Sequence, residues 1–529
     1  MFYFNKNNYN ECTGHGACSI DPSIRSFQEV MLALFRSIAF YIINLERLNY
    51  KNNELRLKII DELSNLVSSS VYTDEQLMSM ISYNLYIYKR LKSKYKRVCK
   101  SQGVKFKELK LPLKFTSRMN LAEILTQGQH WLAEKNKISK RAQKCYVELL
   151  FVAIKSVSLG IMKLVDYGYI DDKAISQVLN SINLMNSRFI QSTKLRNAVL
   201  DLVASDIKLW KQRREAQIDA FGKVSKTSVK RTTEAGKAIL VSGSNLMDLY
   251  HLLEATKDED VNIYSHGDLL IAHVFDKFKR YPNFKGHFGN VGENYLYDYA
   301  TFPGVILLTK HGSQNIEHLI RGRLFTTDDI VPKGVEQVKN KNYTRLVQAA
   351  KNAKGFTKRT ELDSISIGFN FDELDNQFKK LKENFESGKI KNIFVIGTSN
   401  FSSEQIDYFE GMLRKLDSST FVVSFSHHIN RENLLFIDVV NNFPMQIIIL
   451  ELLFKYIPIT DDKITFFLTK CDANTLSSII NLKQNGAKHL YLSDCPPTVI
   501  NPEIIKLFQR LYDVNSMTTP SNDLKVILG

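Results

Sequence analysis

A hydroxyl, an imidazole and a carboxylate each follow an apolar run in the second half of this chain. Ser399 comes after residues 393–396, His427 after 420–425 and Asp472 after 464–468. Apolar runs of this length, spaced by helical stretches, predict strands buried on both faces of a parallel sheet. Open sheets of that kind build their sites on the loops leaving the carboxyl ends of the strands, so these three residues are candidates for chemistry. Thiols are sparse: there are six cysteines in 529 residues, and only Cys12 and Cys18, spaced C-x5-C, form a close pair. That pair reads either as a remnant metal or redox site or as a loop with free thiols, and two thiolates do not complete the four-cysteine set of an iron-sulfur cubane. Cys99, Cys145 and Cys495 read as ordinary residues. Cys471 adjoins Asp472, but neighbours along a strand point to opposite faces. No GxGxxG or GxxxxGK[ST] spelling follows a strand, so nucleotide cofactors are not indicated.

The elements that must position these residues fall into three regions. In SFQEVMLALFRSIAFYIINLERL, Val30, Leu34, Ile38 and Ile42 recur at four-residue steps, close to the helical period. A second set of helical patterns opens at Asn120, so residues 1–221 are expected to form an N-terminal helical domain of two bundles in tandem. Residues 222–236, rich in Lys, Ser and Thr, read as a linker. Beyond it the grammar becomes α/β, giving a central domain over 222–371 and a C-terminal domain over 372–529. In the latter, strands are expected at 393–396, 420–425, 434–439, 464–468 and 489–492. The expected fold class is therefore multidomain α plus α/β: helical bundles followed by two Rossmann-like, mostly parallel domains.

Four phrases between Ala238 and Val335 carry more than a fold class: AILVSGSNLMDLYHLLE, NIYSHGDLLIAHVFDKFKRYPNFKGHFGN, FPGVILLT and RGRLFTTDDIVPKGV. Together they resemble the central segment of the hybrid-cluster (prismane) proteins. That resemblance implies an N-terminal pair of three-helix bundles, an iron-sulfur-oxygen cluster, and reduction of small nitrogen compounds such as hydroxylamine or nitric oxide. It also implies a set of cluster ligands, and here they are replaced. Ser244 stands where the family has a His, and Asp268 where it has a Glu. Gly312, Ser399, His427 and Asn442 stand at the four Cys positions, and Asp472 takes the place of the last Glu. At the N-terminus Tyr3 and Lys6 occupy two of the positions for a second cluster, leaving only Cys12 and Cys18. Iron-sulfur chemistry is thiolate chemistry, and neutral hydroxyls and amides are not equivalent donors.

Neither an intact [4Fe-4S] cluster nor a hybrid cluster is therefore expected. The reading that follows is a degenerate homologue that has lost its clusters and its reductase activity and retains the scaffold for binding or regulation. The rival is a rebuilt mononuclear site, in which Asp268, His427 and Asp472 hold a single Zn, Fe or Mn ion and support an oxidoreductase. His287 and His428 read as surface or hydrogen-bonded residues. Arg321 and Arg323 read as salt-bridge anchors of the following loop.

Bulk properties add a third alternative. The formal charge is +16, and much of the excess lies in residues 89–114, KRLKSKYKRVCKSQGVKFKELKLPLK, where aromatics interleave with Lys. Such a segment could grip a nucleic-acid single strand, although no helix-turn-helix, RNA-recognition or zinc-finger spelling accompanies it. The chain opens on a polar stretch without a secretory h-region. Its longest membrane candidate, 447–453, contains Glu451 and falls far short of about 20 apolar residues. A cytoplasmic protein without a membrane span, acting through an unknown protein partner, is the expectation.

Overall fold

The computed structural model describes residues 22–67, 72–109, 120–136, 141–187, 190–289, 295–310, 320, 322–331, 334–397, 403–425, 432–440, 442–469, 473–493 and 502–529. Seven helices come first: α1 (Pro22–Glu46), α2 (Asn53–Asn65), α3 (Asp74–Ser101), α4 (Leu121–Asn136), α5 (Arg141–Val165), α6 (Asp172–Leu184) and α7 (Ser192–Phe221). Their starts are written in the sequence. Asn52 and Asp171 accept hydrogen bonds from the first turns of α2 and α6, and Thr73 and Gln76 close a reciprocal capping box on α3.

Val30, Leu34, Ile38 and Ile42 are buried as their spacing requires, but so is most of the remaining circumference of α1, which packs against α3, α4 and α6. Helix α5 is embedded likewise, against α2, α6 and α7. Residues Ser23–Glu46 and Ala142–Val165 are long and apolar enough to cross a membrane, and 89% of each apolar window is buried inside the fold. These two helices, and not the run 447–453, are the longest apolar candidates, and that burial is how core helices of a folded domain look. Two arginines carried into this core are paired. The buried Arg56 guanidinium meets Glu46 at 3.0 Å, Asp172 and the Ser176 hydroxyl, and Arg25 meets Glu148 at 2.6 Å.

The segment read as a linker is in fact structured. It carries β1 (Thr227–Val229) and three further bridges, Val224 to Phe275, Thr233 to Thr360 and Gly236 to Phe356. Next come β2 (Ala238–Ser242), α8 (Leu246–Thr256), β3 (Asn262–His266), β4 (Phe284–His287), α9 (Tyr295–Thr301), β5 (Val305–Leu308), β6 (Leu324–Thr326), β7 (Glu336–Gln337) and α10 (Thr344–Asn352). Strand β8 (Ile365–Ile367) then returns to pair antiparallel with β1. Strands β2 to β7 form one all-parallel sheet in the order β4-β3-β2-β5-β6-β7.

The last region repeats the plan with α11 (Phe371–Glu386), β9 (Asn392–Ile396), α12 (Ser403–Leu413), β10 (Thr420–Ser424), β11 (Leu434–Phe436), α13 (Phe443–Tyr456), β12 (Ile464–Leu468), α14 (Ala473–Gln484), β13 (His489–Leu492), α15 (Pro502–Tyr512), β14 (Asn515–Ser516) and α16 (Pro520–Leu528). Its sheet runs β11-β10-β9-β12-β13-β14, again all parallel. Both sheets thus follow the doubly wound order 3-2-1-4-5-6, with switch points between β2 and β5 and between β9 and β12. Helices α5 and α7 pack on α13, α14 and α15, and Lys211 and Arg214 clasp Glu451 at 2.6 and 3.2 Å, so the helical region lies against the second sheet's helices.

Close strand approach explains one phrase of the sequence. In Phe-Pro-Gly ahead of β5, a Cβ on Gly304 would run into the Ala238 carbonyl and the Phe302 ring. Gly304→Ala is expected to destabilise the protein by about 3 kcal/mol through overpacking at the amino ends of β2 and β5, read as a lower urea midpoint with an unchanged slope.

Candidate functional site

At the first switch point the turn after β2 is fixed by Thr309, which follows β5. Gly243 has a φ of 129° and faces the Thr309 side chain so closely that no Cβ fits. Thr309 Oγ1 accepts from the Ser244 and Asn245 amides at 3.2 and 3.3 Å. Asn245 caps α8 through the amides of Met247 and Asp248, and its side-chain amide donates to Asp166 of the helical region at 2.9 Å. Burial, with the charge of Asp248 added, pushes the Asp166 carboxyl up to about 7.

Lys310 then crosses from β5 to the helical region. Its ammonium lies 3.3 Å from Asp61 and 3.8 Å from Asp329, and its backbone amide donates to Asp248 at 3.0 Å. Burial alone would pull this ammonium down, but Asp61, Asp329 and Asp166 together hold it above its ordinary value. Burial likewise opposes ionisation of Asp61, yet Lys310 and Lys58 outweigh it and keep that carboxylate ionised.

Among the positions singled out in the sequence, Ser244 and Asp268 come together by register. Ser242 pairs with His266 across β2 and β3, so Ser244 and Asp268 each lie two residues beyond a matched pair at one sheet edge. Asn442 follows β11 in the other sheet, where its side chain accepts from the Met445 amide at 3.2 Å and caps α13. Gly312, Ser399, His427 and Asp472 lie outside the described residues, as do Tyr3, Lys6, Cys12 and Cys18. The described residues that precede the first four, Lys310, Gly397, Phe425 and Thr469, follow the carboxyl ends of β5, β9, β10 and β12. Among the described residues, no group of three or more His, Cys, Asp or Glu is placed to hold a metal ion. The two described cysteines, Cys99 and Cys145, are buried in α3 and α5, and burial pushes the Cys145 thiol up to about 12. The described donors therefore do not fit a sulfide-bridged iron cluster, which needs thiolates at the sheet edge.

A second polar assembly lies beside this edge and was not read from the sequence. Ser242 Oγ is 2.8 Å from His266 Nδ1 and 2.6 Å from the Tyr299 hydroxyl, and His266 Nε2 is 3.3 Å from Asp298. Ser265 Oγ links His273 Nε2 at 2.9 Å to His287 Nδ1 at 3.0 Å. The His266 and His287 rings stack, and His273 stacks on Phe284. A Ser–His–Asp chain invites comparison with a hydrolase, but Ser242 is only 3% exposed and its oxygen already has two partners. This is a hydrogen-bonded core and not an open nucleophile. Burial holds His287 well below the ordinary imidazole range and lowers His273 to about 3, so both are neutral. Arg323 is also resolved differently from its salt-bridge reading: it donates to the carbonyls of Phe302, Gly304 and Tyr299.

A helical region followed by two parallel sheets wound in the same order, each with its loops at a switch point, defines a twin Rossmann-type scaffold. The chain belongs to the Prismane/CO dehydrogenase family, which residues 7–428 match. It is 24% identical to a hydroxylamine reductase of Thermodesulfovibrio yellowstonii over 541 aligned positions, covering 98% of both chains. It is 22% identical to that of Syntrophobacter fumaroxidans, covering 98% of this chain and 97% of the other. A hydroxylamine reductase of Acidithiobacillus ferrooxidans is 26% identical over 75% of this chain and 72% of its own length. A solved alpha subunit of acetyl-CoA synthase/carbon monoxide dehydrogenase aligns with 99% of this chain and 88% of its own length, at 11% identity and a TM-score of 0.49.

The neutral histidines fix a pH dependence. Their folded values lie below the ordinary 6.5, so the unfolded chain binds more protons as pH falls, and stability present above 6.5 is lost on acidification. Each contributes a slope of about 1.4 kcal/mol per pH unit. Urea unfolding between pH 7 and 5 should show a steep loss of stability, and His273→Gln should flatten it by about one proton.

Proposed function

We propose that this chain is a cluster-free member of its family, which keeps the helical and twin-sheet scaffold for a binding or regulatory role and does not reduce hydroxylamine. The observation that carries this reading is what occupies the described ligand positions and their surroundings. Asn442 is engaged as the cap of α13, the Ser244 turn is pinned by Thr309, and an ammonium, Lys310, supplies positive charge at the first switch point. Reductase chemistry in the relatives' class belongs to its cofactor, with the protein supplying position and electrostatics, so loss of the donors removes the reaction. Anaerobically purified protein is expected to be colourless and to contain no stoichiometric iron or acid-labile sulfide. Brown protein with both in stoichiometric amounts would sink the proposal. Elemental analysis separates the rival: one equivalent of Zn, Fe or Mn, lost on Asp268→Ala, would establish the mononuclear site instead.

A second role is favoured by the exposed face of α3. Lys89, Lys96, Arg97 and Lys100 are exposed there, and no carboxylate pairs with any of them among the described residues. Beside them Arg90 lies over the ring of Tyr86, which is 54% exposed. Cations interleaved with an available aromatic suit a single-stranded nucleic acid. Binding of a fluorescent oligonucleotide should weaken linearly on a log–log salt plot, and the triple variant Lys96→Ala, Arg97→Ala, Lys100→Ala should reduce the slope by about 2 to 3. Salt-independent binding, or none, removes this role.

A further inference from the structure

Outside the carboxyl ends of β6 and β7, beside the first turn of α8, a polar cavity of about 470 Å³ opens to the surface. That volume is within the range of about 300 to 1,000 Å³ in which small-molecule sites fall. Its walls include Asp248, Thr327, Asp329, Lys339, Lys341 and Tyr343.

Asp248 stands in the first turn of α8 and reaches across the switch point. Its Oδ2 accepts from the Thr327 hydroxyl at 2.6 Å and the Lys310 amide at 3.0 Å. Its Oδ1 takes no hydrogen bond from the described residues, which leaves an acceptor on the cavity wall. Asp329 is engaged with Lys310 at 3.8 Å. The rim has the opposite charge. Lys339 and Lys341 are exposed, and no carboxylate pairs with either among the described residues.

The backbone that presents those lysines is itself costly. Asn340 and Lys341 have φ of 51° and 57°, and the Asn342 amide donates to the Lys339 carbonyl at 2.9 Å, which makes Lys339 to Asn342 a type I′ turn. Asn suits the first central position of such a turn, whereas the second prefers glycine. Lys341 sits in the glycine position, with a side chain in a left-handed conformation that L-residues resist. Strain of this kind is characteristic of ligand clamps. The side chain kept at that cost adds a cation to the cavity that Asp248 also lines, and no carboxylate pairs with it among the described residues.

We infer that this cavity binds a small phosphorylated polyol, its phosphate held at the rim by Lys339 and Lys341 and its hydroxyls donating to Asp248. Ammonium groups without carboxylate partners recognise phosphate by charge-assisted hydrogen bonds, and a fixed carboxylate oxygen is the usual acceptor for paired hydroxyls. None of the lining residues is among the family's ligand positions, so the inference stands whether or not the chain holds a metal.

Isothermal titration of the full chain with ribose 5-phosphate, inorganic phosphate and ribose tests it. Ribose 5-phosphate should bind more tightly than phosphate or ribose alone. Lys341→Gly should weaken ribose 5-phosphate by about tenfold, one charge-assisted contact, while raising the melting temperature of the unliganded protein, because it relieves the turn. Asp248→Asn keeps an acceptor oxygen for Thr327 and Lys310 and should erase the advantage of ribose 5-phosphate over inorganic phosphate. Absence of binding by any of the three probes overturns the inference. So does ribose 5-phosphate binding that both variants leave unchanged, or inorganic phosphate binding as tight as that of ribose 5-phosphate.

Discussion

All strands of both six-stranded sheets run parallel, and this one constraint orders everything else in the molecule. A parallel sheet delivers every strand's carboxyl end to the same edge, so any residue just beyond a strand joins the residues beyond its neighbours. Ser244 meets the level of Asp268 in this way, and the buried network draws His266, His273 and His287 together with Ser242 and Ser265. The edge must then be closed against something. At the first sheet that role falls to charge: Lys310 reaches Asp61, 249 residues away in sequence, and joins the sheet to the helical region.

Charge at a strand end has a different physics from a metal cluster. A sulfide-bridged cluster is a polarisable body held by anionic thiolates. Lys310 is a compact cation that donates to Asp61 of α2 and lies within ion-pair distance of Asp329 in the loop after β6. The arrangement ties the loop after β5 to α2 as an ionic joint. Buried ion pairs of this sort contribute little net stability but are expensive to break from one side.

Much of the architecture was legible in the sequence because its signals are local. The four-residue steps of α1 and the short, largely apolar runs of β9, β10, β12 and β13 report burial directly. What escaped was set by tertiary context. Strands β6, β7 and β14 have only two or three residues, too few for any period to register. The stretch 222–236 reads as a linker by composition, yet it pairs with residues 356–367 far along the chain. The histidine network combines residues up to 57 positions apart, and no spacing announces it. The resemblance pointed to positions beyond strand ends. It did not show that Asn442 caps a helix, that Lys310 forms a joint, or that a polar cavity lies outside β6 and β7.

The cap at Asn442 has a consequence for how the helical region is seated. Its carboxamide oxygen accepts from the Met445 amide and secures the first turn of α13, a hydrogen bond worth about 1 kcal/mol. That helix packs against α7 and carries Glu451, which Lys211 and Arg214 hold. One side chain at a loop end thus fixes the start of the helix on which α7 rests.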